Sequence, residues 1–245
     1  MSRIVLLCGP SCVGKSPLYK AFELFYPELA AEFKTMVCYH SRSARPGEKD
    51  GVDYHFRTKE FIERLGEKKD FLVTEYRGDT YGVDFGQVRK DMKVSDIFYE
   101  ANPVIGKAIL DFCKREDIEN LSVFMSPLSR DEIEFLKSPD KNADLKKTVT
   151  DVMRRKLLRR TKKQKSILSG KDLETIEVRA ECAFNELKMG SDFDYVIANH
   201  DGEDSENWCQ FYYPIGDARK TLMVFAEIIK VNTSKYAERW PEGLI

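Results

Sequence analysis

Residues 9–16 read GPSCVGKS, a loop bounded by glycine and closed by Gly-Lys-Ser. It follows RIVLLC, a β-branched and leucine run of strand length, and precedes PLYKAFELF, whose Leu18, Phe22 and Phe25 recur at helical spacing. Strand, glycine loop and helix is the context that gives the pattern G-x-x-x-x-G-K-[ST] its meaning. Gly9 and Gly14 let the backbone curl until successive N–H groups face one concavity, and the N-terminus of the following helix adds its own donors. Gly9, Ser11, Gly14, Lys15 and Ser16 are therefore the expected phosphate-binding set. Lys15 reaches the β- and γ-phosphates and Ser16 is the expected Mg²⁺ ligand. Pro17 is tolerated because the first helical turn has no use for its N–H. The loop predicts a site for a nucleoside triphosphate.

The remaining chain alternates strand and helix. TMVCYH (35–40), SDIFYEA (95–101), NLSVFMSP (120–127) and FDYVIAN (193–199) read as strands. TKEFIERLGEKK is a helix capped by Thr58, and residues 83–93 and PVIGKAILDFCKRE are two more. SRDEIEFLK opens with a Ser129–Glu132 capping box, and DARKTLMVFAEIIKV closes the series. DFLVTEYRGDTYGV carries two strand-like halves around Gly78-Asp79 and reads as a hairpin. This order predicts an α/β fold with a parallel sheet at its core.

The 245 residues suit one such domain with insertions. A net charge of −1 gives no general attraction to nucleic acid. The six cysteines form no CxxC pair and the three histidines do not cluster, so no zinc site is expected and the thiols read as reduced. No run of eighteen apolar residues exists to span a membrane, and MSRIVLLCGP reads as a buried strand, so a cytoplasmic location is expected.

Beyond the phosphate loop, the chain carries SRSARPGEKDGVDYHF (41–56), GDTYGV, SVFMSPLSRDEIEFL, VRAECAFNEL and FDYVIANHD, in that order. In these segments it resembles the guanylate kinases, over roughly residues 3–200. The resemblance implies a P-loop three-layer core over 1–36 and 94–245, with a helical lid at about 137–180. It also implies a small mixed β/α acceptor-binding lobe over 37–93. The implied reaction moves the γ-phosphoryl of ATP, with Mg²⁺, to a nucleoside monophosphate. Arg42 and Arg45 would clamp the acceptor phosphate, Glu48 would hold the clamp, and Tyr54 and Tyr81 would donate their hydroxyls to it. Arginine suits this role because its planar fork donates two parallel hydrogen bonds. VMRRKLLRRTKKQK carries eight basic residues between positions 154 and 165. There Lys156 matches a site usually held by arginine, Arg160 matches a lid arginine, and Arg179 is the next. Lys15, Arg42, Arg160 and Arg179 form the implied catalytic set, because phosphoryl transfer is governed by positioning and charge stabilisation. Asn199 matches a position near the adenine or the lid.

The guanine-reading positions depart from the family. Cys38 and Val83 stand where hydroxyl residues are usual, and Val73 follows the Phe-Leu of DFLV where a glutamate is usual. That segment is one residue short, so Glu75 is the substitute if the strand shifts. Glu100 and Asn102 replace two aspartates. An unpaired guanine donor costs about 1–3 kcal/mol. The expectation is a kept phosphate clamp with rebuilt base recognition, acting on GMP or a related acceptor. A kinase of another phosphorylated metabolite and a non-catalytic phosphopeptide-binding module are the alternatives. The intact P-loop argues against the module, and the altered base pocket argues for it. The basic lid run lacks interleaved aromatics, so it does not read as an RNA-binding patch. Two insertions, 137–151 and 202–216, lie outside the pattern. The second carries four aromatics and reads as a cover for the sheet edge or as a protein partner surface.

Overall fold

The computed structural model describes residues 2–44, 47–165 and 167–245. Along the chain the strands are β1 Ile4–Cys8, β2 Phe33–Thr35, β3 Tyr39–His40, β4 His55–Phe56, β5 Phe71–Tyr76, β6 Asp79–Asp84, β7 Asp96–Glu100, β8 Asn120–Ser126 and β9 Tyr195–Ala198. The helices are α1 Lys15–Phe25, α2 Pro27–Ala30, α3 Lys59–Leu65, α4 Phe85–Asp91, α5 Pro103–Arg115, α6 Arg130–Lys137, α7 Leu145–Gln164, α8 Gly170–Lys188 and α9 Gly216–Val231.

The chain divides into two compact units, residues 1–6 with 32–121 and residues 7–31 with 122–245. In the first unit β2 pairs in parallel with β7, and β7 neighbours β1. The same unit holds a four-stranded sheet in the order β4-β3-β6-β5. In the second unit β8 pairs in parallel with β9, with β1 on the other side of β8. The fold is α/β with a parallel sheet, as the strand-helix alternation implies.

Local chemistry explains the elements. Thr58 caps α3 by accepting from Phe61 N–H at 3.3 Å. Ser129 and Glu132 form the reciprocal capping box of α6, and Ser169 with Asp172 forms a second one on α8. Asn102 caps α5, with Pro103 in the first turn. The β5–β6 hairpin turns on Arg77 and Gly78, with φ of 54° and 80°. Two left-handed residues suit a two-residue turn whose twist matches the strands, so the turn lies one residue earlier than Gly78-Asp79. Residues 83 and 84 belong to β6, opposite Leu72 and Phe71, and α4 starts only where Asp84 accepts from Gln87 N–H. TMVCYH is not one strand. Met36 N–H still bonds Phe98 beside β7, whereas Cys38 O already accepts from His55 N–H beside β4. Residues 36–38 carry the chain from one sheet to the other.

In the second unit β1 contributes Leu7 and Cys8, fully buried, and α9 covers the sheet with Leu222, Phe225 and Ile228. Helices α7 and α8 pack through Met153 and Leu157 against Ile176 and Ala180, all at most 4% exposed. Insertion 137–151 supplies the end of α6 and the capped start of α7. Among the described residues no helix is long and apolar enough to cross a membrane.

Candidate functional site

In the second unit, loop 9–14 curls through three left-handed residues, Gly9, Cys12 and Gly14, at φ of 147°, 70° and 108°. A Cβ on Gly9 would lie 2.5 Å from the Met125 carbonyl oxygen, so the loop closes against β8 only with glycine there. Lys15 is buried, and its Nζ donates to the Gly9 and Pro10 carbonyls at 2.9 and 3.0 Å. The ammonium thus sits inside the loop's own curve. Ser11 and Ser16 are half-buried. Burial pushes the Cys12 thiol up to about 12, which keeps it protonated.

Asn199 lies behind the loop. It is fully buried, and its Nδ2 donates to the Val13 carbonyl at 2.8 Å and to the Asp201 carbonyl at 2.6 Å. Its Oδ1 accepts from Thr221 Oγ1 at 3.3 Å and from Asp201 N–H at 3.2 Å. The side chain braces the phosphate loop from the end of β9.

Basic residues of α7 meet the segment that follows β9. Lys156 Nζ donates to the His200 carbonyl, and burial lowers its pKa. Arg160 Nη1 donates to Glu203 Oε2 at 2.8 Å, Arg159 Nε to Asp204 Oδ2 at 2.6 Å, and Lys163 Nζ to the Asp204 carbonyl at 2.7 Å. Arg179 is half-buried on α8. The same segment holds the phosphate loop, because Glu203 N–H donates to the Cys12 carbonyl at 3.3 Å. Asp201 organises it, accepting from Ser205 Oγ at 2.8 Å, from both hydrogen-bonding contacts of Asn207 Nδ2 at 2.9 Å, and from Ala218 N–H at 2.9 Å. Burial would raise its pKa, but these bonds outweigh burial and hold it below the usual carboxylate range. Trp208 Nε1 donates to the Asp201 carbonyl at 2.9 Å, and the Tyr213 ring meets Phe25 at a centroid distance of 4.5 Å, tilted by 55°. Phe211 and Tyr212, by contrast, are exposed. Glu203 and Asp204 escape sequence reasoning because only the acid-rich GEDSE after the strand marks them.

The first unit holds the acceptor candidates. Arg42 forms a two-pronged pair with Glu48, Nη1–Oε2 at 2.6 Å and Nη2–Oε1 at 2.7 Å. Its guanidinium lies 5.3 Å from the Tyr54 ring centroid and 5.4 Å from that of Phe56. Arg45 lies outside the described residues. Tyr81 stands directly opposite His40 across β3 and β6. The structure therefore brings Arg42, Glu48, Tyr54 and Tyr81 into one cluster, with His40 at its centre.

Residues directly opposite in an antiparallel pair share a face, and faces alternate along the strand. Thr74 is opposite Tyr81, Leu72 opposite Val83, and Val73 opposite Gly82. Leu72, Thr74, Tyr81 and Val83 thus share the face that His40 also takes. Val73 lies on the other face, where its side chain approaches Gly66 at the end of α3. Glu75, opposite Thr80, is on that other face too and pairs with Lys59 of α3. The strand register does not bring Glu75 to Tyr81. Asn102 spends its carbonyl oxygen on the α5 cap, accepting from Ile105 N–H at 3.0 Å. Glu100 ends β7, half-buried. Cys38 is fully buried, bonded to Tyr99, and burial pushes its thiol up to about 12.

The guanylate kinase family model matches residues 1–209. The chain belongs to the guanylate kinase family. It is 30% identical over 206 residues to a guanylate kinase of Synechococcus sp. (strain JA-3-3Ab), covering 83% of this chain and 78% of that one. A guanylate kinase of Clostridioides difficile (strain 630) is 28% identical over 210 residues, 82% of each chain. The crystal structure of guanylate kinase from Anaplasma phagocytophilum shares the fold, with a TM-score of 0.55 at 20% identity, over 96% of this chain and 89% of that one. Guanylate kinases use ATP and Mg²⁺. The left-handed curl of loop 9–14 and the buried Lys15 within it fit a triphosphate.

Proposed function

We propose that this guanylate kinase family member transfers the γ-phosphoryl of ATP to a nucleoside monophosphate whose base is not read as guanine is usually read. The observation that carries the second half is the hairpin register, in which Leu72 faces Val83 on the face of Tyr81. Two apolar side chains there offer no partner to guanine N1–H or N2–H₂, at a cost of about 1–3 kcal/mol for each unpaired donor.

Gly9, Ser11, Gly14 and Lys15 bind the donor phosphates, with Asn199 bracing the loop, and Ser16 would hold Mg²⁺ together with phosphate and water oxygens. The metal ion supplies charge neutralisation on those phosphates. Residues 37–93 are the acceptor lobe, and 1–36 with 94–245 the core, its lid at about 137–180. Arg42, Arg45, Tyr54 and Tyr81 hold the acceptor phosphate and Glu48 holds Arg42 in place. Arg160 and Arg179 stabilise the charge that develops on the transferred group. Glu100 and Asn102 border the base. The protein acts in the cytoplasm. Transfer needs the acceptor oxygen in line with the γ-phosphorus, so both sites act on one pair of bound substrates.

The test is ADP formation from Mg-ATP with GMP, dGMP, AMP, UMP, CMP, IMP and a few sugar phosphates as acceptors. Turnover that depends on a nucleoside monophosphate supports the reading. ATP binding with no stimulation by any acceptor would overturn it in favour of the phosphate-binding module.

A further inference from the structure

His40 is 2% exposed and stands among the groups expected to hold the acceptor phosphate. It faces Tyr81 directly across the β3–β6 ladder, with ring centroids 4.1 Å apart. The Tyr54 ring meets it edge-on at 5.1 Å and an interplanar angle of 87°. Its Nδ1 accepts from the Arg42 backbone N–H at 3.2 Å. One imidazole therefore touches both tyrosines and fixes the backbone that launches the arginine. Nδ1 accepts a hydrogen bond only when it carries no proton, so this arrangement requires the neutral ring with its proton on Nε2.

We propose that His40 is a positioning residue of the acceptor site, acting through Tyr54, Tyr81 and Arg42, and that it does so only in its neutral form. This rests on the transferase reading of that site. Protonation turns Nδ1 from acceptor to donor, opposes it to the Arg42 N–H, and puts a positive charge on a ring packed against Tyr54, over which the Arg42 guanidinium lies. Each change displaces a group of the clamp. Among the described residues, Tyr54 ahead of β4, Tyr81 on β6 and Arg42 on the connecting loop contact His40, and next to these stand Glu48, Cys38 before β3, and Tyr99 and Glu100 on β7. Burial pushes the Tyr54, Tyr99 and Cys38 groups upward, so they stay protonated through the range in which an imidazole titrates.

The experiment is steady-state kinetics of the full chain from about pH 5.5 to pH 8, using the best acceptor of the panel. Wild type, His40→Asn and His40→Phe are compared. Asparagine keeps an oxygen acceptor for the Arg42 N–H and does not titrate, whereas phenylalanine keeps bulk without an acceptor. The acceptor KM of wild type is expected to rise about tenfold toward the acid end, with a smaller change in kcat. His40→Asn should keep KM within about twofold of wild type at pH 8 and lose the acid rise. His40→Phe should raise KM about tenfold at every pH. Nitrogen-15 spectra of the imidazole near pH 8 should show Nδ1 without a proton. Equal losses in both variants, a flat wild-type KM, or a proton on Nδ1 would overturn the proposal. Wild type without any acceptor-dependent turnover overturns the transferase reading instead, and the nitrogen shifts then report the His40–Arg42 contact independently.

Discussion

Arg160 Nη1 lies 2.8 Å from Glu203 Oε2, with the two side chains only 19% and 18% exposed. The lid arginine expected to meet the donor phosphates is held by a carboxylate of its own chain. Among the described residues, Arg160 Nε and Asp204 Oδ1 are buried with no hydrogen-bond partner. The acidic segment thus leaves part of the Arg160 guanidinium unsatisfied, and on the proposed donor role phosphate oxygens would compete with Glu203 for it.

Glu203→Gln removes the charge and keeps the shape. ATP affinity is expected to rise about two- to fivefold, the range set by one partly exposed ion pair. Isothermal titration with ATP and Mg²⁺ checks it. Weaker binding would mean that Glu203 builds the donor site instead of competing with its ligand.

Gly14→Ala adds a Cβ where φ is 108° and where Asn199 Nδ2 and the Asp201 carbonyl oxygen lie 2.6 and 2.9 Å away. Strain of this kind costs about 1–3 kcal/mol, and in a chain of this size that lowers Tm by about 2–10 °C. ATP binding should weaken further than the melting temperature alone explains. Calorimetry on the apo and ATP-loaded variant reads both. An unchanged Tm would show that the loop relaxes freely.

His200 bridges α6 and α9, bonding Glu132 at 2.9 Å and also Asp217. Burial pulls its pKa down, but the bonds to Asp217 and Glu132 outweigh this and raise it above the ordinary value. A group with a raised folded-state pKa stabilises the fold fully below its unfolded pKa, and that stability fades as pH climbs through the folded value. Wild type should therefore lose stability against His200→Gln between about pH 6 and pH 8. The difference is modest because the side chain is half exposed. Urea melts of both proteins across that range are the check, and parallel curves would refute the linkage.

Much of this is legible in the sequence. The phosphate loop announces itself because its chemistry needs glycines and a lysine at fixed spacing. The caps at Thr58 and Ser129 are local, so the residues that form them are neighbours in sequence. The hairpin face was not legible. Counting from Phe71-Leu72 makes Val73 the residue beside the base, whereas the turn at Arg77-Gly78 sets Leu72 opposite Val83. Pairing register depends on the turn, and a one-residue change swaps every side chain to the other face. His40 and Glu203 were invisible for a similar reason. Each acts through partners brought near only by the fold, Tyr81 across a ladder and Arg160 from α7.

The most direct test of the central claim is kcat/KM for GMP beside AMP, UMP and CMP, in wild type and in the Leu72→Glu, Val83→Ser double variant. Wild type should show no strong preference for GMP. The double variant, with a carboxylate and a hydroxyl restored opposite one another, should gain about 10- to 100-fold on GMP, the worth of one or two newly paired donors. A wild type that already prefers GMP by about a thousandfold, with the variant no better, would contradict it and mean that guanine is read by groups other than this face.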